Sequence, residues 1–115
     1  MEHVLGIGGV FFRASDPEGL RAWYAANLGV EEMLVAESGD RTVWSAFEAD
    51  TEYFGRDDQQ AMFNYRVRDL DAMLAQLRAA GASVDEKVEE YEYGRFGWAT
   101  DPEGNRFELW EPRGA

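Results

Sequence analysis

The sequence predicts an α+β fold made of two copies of a strand–helix–strands unit. The first observation is a repeated pattern, in which an alternating apolar segment leads into a capped amphipathic helix that ends at a glycine. The second is the spacing, since the capping residues Asp16 and Asp69 lie 53 residues apart (69 − 16 = 53) and the closing glycines Gly29 and Gly81 lie 52 apart (81 − 29 = 52). The third is the length of 115 residues with 45% hydrophobic residues, which suits one compact domain.

The first copy begins with a strand and continues into a helix. The segment GVFFRA predicts a strand with two faces, which are Val10, Phe12 and Ala14 on one side and Gly9, Phe11 and Arg13 on the other. Ser15 or Asp16 caps the following helix, Pro17 takes its first position and Gly29 closes it. Its apolar stripe comprises Leu20, Trp23, Tyr24 and Leu28. We therefore expect a helix over Pro17–Leu28.

The second copy repeats this order. Its strand alternates between two faces, which are Phe63, Tyr65 and Val67 on one side and Asn64 and Arg66 on the other. Asp69 caps the helix that follows, and Gly81 terminates it. Apolar residues at helical spacing form its stripe, which comprises Leu70, Met73, Leu74 and Leu77. We expect this helix over Leu70–Ala80.

Extended segments follow each helix. In the first copy we expect strands over Glu32–Ser38 and Arg41–Phe47 around a turn at Gly39-Asp40, with a short piece at Tyr53-Phe54. In the second we expect strands over Val84–Tyr91, Arg95–Thr100 and Asn105–Trp110. The polar run GRDDQQ between the copies is too short to link independent domains. The chain is therefore predicted to be a single domain, 1–115, with module 1 at about 1–55 and module 2 at about 61–115.

Composition excludes several classes of function. The formal net charge is −12, from 23 acidic and 11 basic residues, so nucleic acid and anionic membranes are poor partners. The absence of cysteine excludes disulfides, thiol nucleophiles and zinc–thiolate sites. No apolar run is long enough to span a bilayer, and the N-terminal residues do not have the pattern of a secretory signal. A cytoplasmic location is the resulting expectation.

Three segments carry a resemblance to a known family. They are SDPEGLRAWYAANLGV, YRVRDLDAMLAQLRAAGASV and YGRFGWATDPEGNRFELWEP, and together they cover nearly the whole chain. Their order resembles the vicinal oxygen chelate superfamily, which includes glyoxalase I, bleomycin- and fosfomycin-resistance proteins and extradiol dioxygenases. The resemblance implies two βαβββ modules whose curved mixed sheets enclose a cleft, with helices on the outer faces. In a chain this short it also implies a homodimer.

The resemblance also implies where a metal would bind. Metal-using members place a His or Gln seven residues before the first capping acid, and a His at the same spacing in the second module. Those positions hold Gly9 (16 − 7 = 9) and Met62 (69 − 7 = 62). The family's last-strand glutamate is present as Glu108, whereas the remaining carboxylate has only Glu48 as a candidate. Because neither glycine nor a thioether suits these ions, we expect no metal and no other cofactor. The alternative is an oxygen-only site formed by Glu48, Asn64 and Glu108.

Strand alternation predicts the residues that face the cleft. Phe107 and Leu109 belong to the core side of the last strand, so Glu108 points the other way. Arg13 and Arg66, or a cationic group of a ligand, are the expected partners of this carboxylate, because a buried unpaired charge is costly. The sheet segments are rich in aromatic residues, and the ligand-binding candidates are Phe11, Arg13, Trp44, Met62, Asn64, Arg66, Trp98 and Trp110. The alternative is that these side chains fill a packed core or seal a dimer.

The resulting prediction is a small-molecule-binding protein of the glyoxalase/bleomycin-resistance type, which binds an organic ligand in a metal-free aromatic cleft. A different class remains open, in which the protein is a lyase or isomerase. Glu108 would then act as a general base, or as ligand of an unconventional metal site. A third class is an interaction module with a filled cleft. Bound metal would favour the enzyme, an open apolar pocket the binding protein, and a packed cleft the interaction module.

Overall fold

The computed structural model describes residues 1–113, which contain two helices and eight strands. These residues form two compact units. The N-terminal unit comprises Gly8–Phe63, and the C-terminal unit comprises Met1–Ile7 together with the chain from Asn64 onward. The predicted α+β class with two modules is confirmed. Neither helix in the described range has the length and apolar character needed to cross a membrane.

The N-terminal unit contains three strands and one helix. Its elements in chain order are β1 (Gly6–Ala14), whose first two residues belong to the C-terminal unit, α1 (Pro17–Leu28), β2 (Met33–Val35) and β3 (Arg41–Glu48). Strand β3 is central, because it pairs in parallel with β1 and antiparallel with β2. The sheet of this unit is therefore mixed, as the family resemblance implies.

Helix α1 has the predicted bounds because its end signals are local. The Asp16 carboxylate accepts a hydrogen bond from the backbone N–H of Gly19 at 3.1 Å, and Pro17 stands at the first helical position. Gly29 ends the helix in a left-handed conformation with φ +66°. The predicted apolar stripe is only partly covered. Tyr24 contacts Trp44 of β3, whereas Trp23 is 54% exposed.

The C-terminal unit contains the second helix and the longer strands. Its elements are β4 (Ala61–Arg66), whose first half belongs to the N-terminal unit, α2 (Leu70–Ala79), β5 (Ser83–Val84), β6 (Glu89–Tyr91), β7 (Gly94–Thr100) and β8 (Arg106–Pro112). Strand β8 pairs in parallel with β4 and antiparallel with β7, and β7 also pairs antiparallel with β5 and β6. This sheet is also mixed.

The core of the C-terminal unit lies between α2 and one face of its sheet. Its buried members are Val67, Leu70, Met73, Leu74 and Leu109, with Phe107 packed against them. The prediction that Phe107 and Leu109 face the helix is therefore confirmed. Gly97 on β7 permits α2 to approach the sheet closely, since a Cβ at this position would lie 3.2 Å from a methyl group of Leu74. The opposite face of this sheet, which carries Glu108, is not covered by α2.

Three predicted extended segments differ in the structure. The strand predicted over Glu32–Ser38 is limited to Met33–Val35, because the chain turns after it. The segment predicted as one strand over Val84–Tyr91 is split into β5 and β6, because residues 85–88 leave the ladder. The piece predicted at Tyr53-Phe54 is a turn. Phe54 is fully buried there in a cluster with Phe11 and Met62, so side-chain packing holds this segment instead of strand pairing.

Candidate functional site

A buried carboxylate is held between two neighbouring strands of the C-terminal unit. Parallel pairing with β4 places Asn64 beside Glu108, and antiparallel pairing with β7 places Trp98 opposite it. The Asn64 Nδ2 donates to Glu108 Oε1 at 2.5 Å, and the Trp98 Nε1 donates to Oε2 at 3.0 Å. Glu108 is only 4% exposed. These three side chains form what we call the Glu108 triad.

The Glu108 triad stabilises a carboxylate through neutral donors. Each oxygen accepts a hydrogen bond from a side-chain N–H, and such bonds to a charged group are stronger than neutral ones. The Arg106 guanidinium contacts the Trp98 ring of this triad, with its Cζ 5.5 Å from the ring centroid. A cation over an indole face strengthens the indole N–H as a donor. Arg106 is itself fixed by Asp85 at 2.8 Å.

Four aromatic side chains continue the face that carries Glu108. Phe96 and Trp110 are opposite each other on β7 and β8, and their rings stack at a centroid distance of 5.9 Å. Tyr91 and Tyr93 stack on each other at 5.3 Å, and each meets the Phe96 ring edge to face at 5.8 Å. We call these four residues the aromatic surface. Tyr91 is 43% and Tyr93 is 59% exposed, so this end of the surface is exposed to solvent.

The outer end of the aromatic surface carries a carboxylate that contacts Tyr91. The Tyr91 hydroxyl donates to Glu89 at 2.5 Å, and this bond, followed by desolvation, raises the pKa of Tyr91 above its usual range. The charges that contribute, those of Glu89, Tyr93 and Glu108, all raise this pKa further. The hydroxyl of Tyr91 therefore stays protonated at neutral pH.

Two buried polar atoms on this face have no hydrogen-bond partner among the described residues. One is Oδ1 of Asn64, in a side chain whose Nδ2 is already used by Glu108. The other is Nε1 of Trp110, which lies so close to Gly94 that a Cβ there would come within 2.4 Å of it. Buried polar atoms are rarely left unpaired in proteins. An acceptor and a donor are thus available beside the Glu108 triad and the aromatic surface.

The other predicted site residues have structural contacts in the part of the chain described. Arg13 donates to the backbone carbonyls of Ala49, Thr51, Arg56 and Gln59 at 2.8–3.0 Å, and its guanidinium lies over the Phe54 ring. Arg66 donates to the carbonyl of Ile7 at 2.8 Å. The Glu108 carboxylate accepts hydrogen bonds from Asn64 and Trp98, and the sequence prediction that Arg13 or Arg66 pairs with it stays a prediction. Long polar side chains can satisfy backbone carbonyls, which strand alternation does not reveal.

The three apolar candidates of the N-terminal unit lie on two different faces. Phe11 and Met62 are buried in one cluster with Phe54. Trp44 instead contacts Tyr24 of α1 and Phe12, so it belongs to the helix-covered face. The structure therefore does not bring Trp44 together with Phe11. In the C-terminal unit, Asn64, Trp98, Glu108 and Trp110 do share one face, together with the unpredicted Tyr91, Tyr93 and Phe96.

The donor set does not fit a divalent metal of the kind the fold family uses. Each oxygen of Glu108 already accepts an N–H group, so a cation would have to compete with Asn64 and Trp98 for this carboxylate. Within residues 1–113 no group of three or more His, Asp or Glu side chains is placed to hold an ion. Glu48 is exposed at the end of β3, where it pairs with Ala14. In the second module Glu108 pairs with Asn64. The corresponding pair in the first module is Ser45 with Phe11. The register therefore places Ser45, not Glu48, at the first-module counterpart of Glu108.

The fold and this site define a protein of the vicinal oxygen chelate type. A family model described as a glyoxalase-like domain matches residues 9–110. The chain therefore belongs to the glyoxalase-like domain family. A comparison with curated protein sequences finds no match.

Several solved structures share the fold. A substituted methylmalonyl-CoA epimerase from Streptomyces coelicolor, in complex with 2-nitronate-propionyl-CoA, is similar with a TM-score of 0.74 and 16% identity over 97% of this chain and 100% of that one. Methylmalonyl-CoA epimerase from Mycobacterium tuberculosis has a TM-score of 0.67 and 22% identity over 96% and 90%. A structure described as NAD-dependent benzaldehyde dehydrogenase from Legionella pneumophila has a TM-score of 0.61 and 16% identity over 91% and 98%. At these identities the likeness shows the fold alone.

Proposed function

We propose that the protein binds a small organic molecule against the aromatic surface, with the Glu108 triad as the polar end of the site and without a metal. The observation that carries this proposal is the buried Glu108, held by Asn64 and Trp98, beside exposed aromatic side chains. A few fixed polar groups within apolar walls are typical of ligand sites. That an epimerase of the same fold holds an organic ligand supports the proposal.

The unpaired amide oxygen of Asn64 supports a polar ligand group at the base of this site. Asn64 is 2% exposed, so its Oδ1 gains a partner only from a group that enters the same buried space. A ligand N–H or O–H would satisfy it without disturbing the bond from Nδ2 to Glu108. The aromatic rings would then cover the planar part of the ligand.

A second candidate is a lyase or isomerase in which Glu108 acts as general base. The observation in its favour is that Asn64 and Trp98, which orient the carboxylate, are neutral donors. Such a carboxylate can accept a proton from a carbon acid that lies within hydrogen-bond reach. Exchange of a substrate C–H for deuterium in heavy water, abolished by Glu108→Gln, would identify this activity. Binding without exchange supports the binding protein.

The indole N–H signals of the four tryptophans provide the test of binding. A panel of planar organic fragments would be titrated into ¹⁵N-labelled protein. We expect the signals of Trp98 and Trp110 to shift, whereas those of Trp23 and Trp44, which lie in the N-terminal unit, serve as internal controls. Shifts confined to Trp23 and Trp44, or no shift with any fragment, would overturn the proposal.

We also propose a homodimer and a cytoplasmic location. The homodimer is supported by the apolar residues that the N-terminal unit exposes, which are Trp23, Leu28, Met33, Leu34 and Val35. Three of these form the whole of β2, for which β3 is the pairing partner described. Light scattering after size-exclusion chromatography should give twice the mass of one chain. For the Leu34→Lys variant the measured mass should fall to that of a single chain. A monomer in the unsubstituted protein would exclude the dimer.

A further inference from the structure

We infer that the aromatic surface selects an organic cation, such as a methylated or aromatic ammonium compound. This inference rests on the proposed function, because it names the class of ligand for the same site. It depends on three features of the C-terminal unit. These are the exposed tyrosine side chains, the carboxylates at both ends of the aromatic surface, and the pairing of the basic side chains Arg66, Lys87 and Arg106.

The aromatic side chains supply the first feature. Tyr91 and Tyr93 stack with an interplanar angle of 5°, and more than two fifths of each residue is exposed. The rings of Phe96 and Trp110 stack with an angle of 4°. An aromatic face attracts a cation within about 6 Å of its centre, and tryptophan and tyrosine do so best.

Carboxylates lie at both ends of the aromatic surface. Glu108 occupies the buried end, and Glu89 occupies the outer end, where it accepts from the Tyr91 hydroxyl. Both charges act on that hydroxyl in the same direction. A cation on the rings would therefore gain from two negative charges as well as from the aromatic faces, whereas an anion would be repelled.

The basic side chains Arg66, Lys87 and Arg106 are already engaged. Arg106 pairs with Asp85 at 2.8 Å, and Arg66 donates to the carbonyl of Ile7. On the outer end, Lys87 pairs with Glu89 at 2.9 Å but is three quarters exposed, so solvent screens its charge. The protein as a whole carries a net charge of −12, which adds to the attraction for a cation.

Three probes of similar size and different charge test the inference. Benzyltrimethylammonium, benzyl alcohol and benzenesulfonate would each be titrated into the full-length protein, with the Trp110 indole signal as the readout. We expect the cation to bind roughly three- to thirtyfold more tightly than the alcohol, as cation–π attraction implies. The sulfonate should bind most weakly, and added salt should reduce the advantage of the cation.

Variants locate the effect on the aromatic surface. Tyr93→Leu and Glu89→Gln should each weaken binding of benzyltrimethylammonium at least threefold. Tyr53→Leu is the matched control, because Tyr53 is also an exposed tyrosine with a stacked neighbour, but in the N-terminal unit. Circular dichroism would confirm that all three variants are folded.

The outcomes separate this inference from the proposed function. Equal affinity for the cation and the alcohol, with a shift of Trp110, would overturn the inference and leave the proposed function intact. The cation could bind more tightly than the alcohol while Tyr53→Leu weakens its binding as much as Tyr93→Leu does. That result would overturn the placement of the binding site on the aromatic surface. No binding of any probe to the unsubstituted protein would count against both.

Discussion

Trp98→Phe is the substitution that most directly probes how Glu108 is held. Phenylalanine keeps an aromatic ring in the core but removes the indole N–H. In the unsubstituted protein that N–H donates to Glu108 Oε2 at 3.0 Å, and Trp98 is 3% exposed. Water therefore has little room to replace the lost donor. The variant should leave a buried carboxylate oxygen with one hydrogen bond fewer.

The expected cost follows from the charge of the acceptor. A hydrogen bond to a charged group contributes about 1.5–3 kcal/mol, whereas a neutral one contributes about 0.5–1.5 kcal/mol. In the Glu108→Gln background the group that accepts from Trp98 is a neutral amide oxygen. The glutamine oxygen would face Trp98 and its NH₂ would face Asn64. The side chain of Asn64 can rotate so that its unpaired Oδ1 accepts from that NH₂. Trp98→Phe should then cost about 1 kcal/mol less than it does with Glu108 present.

A double-mutant cycle with urea unfolding measures this difference. The four proteins are the unsubstituted chain, Trp98→Phe, Glu108→Gln and the double variant, each compared by the free energy of unfolding. The loss of ring volume is common to both backgrounds, so it cancels. A coupling energy below about 0.3 kcal/mol, which is the usual error of additivity, would refute the reasoning.

Three further substitutions or conditions have definite expected outcomes. Gly97→Val should destabilise the C-terminal unit by about 1–3 kcal/mol, measured by thermal unfolding, since its side chain would overlap Leu74. Arg13→Gln should increase proteolysis of residues 49–59, because several carbonyls there lose a donor; unchanged cleavage would show that the arginine does not hold the segment. Arg95 lowers the pKa of Asp71 below its usual 3.8, so this pair should stabilise the protein above pH 4 and lose that effect as pH falls further. Unfolding curves of Arg95→Gln should therefore depend less on pH in that range, and an identical pH dependence would contradict the assignment.

The helices could be predicted from the sequence because their signals are local. An acidic cap, a proline at the first position and a closing glycine act within a few residues of α1, and its predicted bounds are those observed. The face of the sheet on which Glu108 lies could also be predicted from local sequence. Side chains alternate along one strand, so Glu108 lies on the face opposite to Phe107 and Leu109. Asn64, Trp98 and Trp110 were named as candidates on the same basis.

The contacts of Glu108 with Asn64 and Trp98 could not be predicted, because they depend on the register between strands. A shift of one residue in the β7–β8 pairing would bring a different residue opposite Glu108 and leave Trp98 on another face. The same limit applies to Trp44, whose face follows from the pairing of β3 with β1. The aromatic surface was missed because Tyr91 and Tyr93 come together with Phe96 only through a hairpin. The alternation of aromatic and polar residues in EYEYGRF was the sequence signal that could have indicated this surface.

The most direct test of the central claim compares ligand affinity and stability in one variant, Glu108→Gln. The claim is that Glu108 serves a ligand on the aromatic surface. Glu111→Gln is the matched control, because Glu111 lies on the same strand and accepts from the backbone N–H of Leu70 at 2.8 Å. We expect Glu108→Gln to change stability by less than about 1 kcal/mol, through the rotation of Asn64, and to weaken binding of benzyltrimethylammonium at least threefold. Glu111→Gln should lower stability without changing affinity. A Glu108→Gln protein that loses stability but binds the cation as tightly as before would contradict the account.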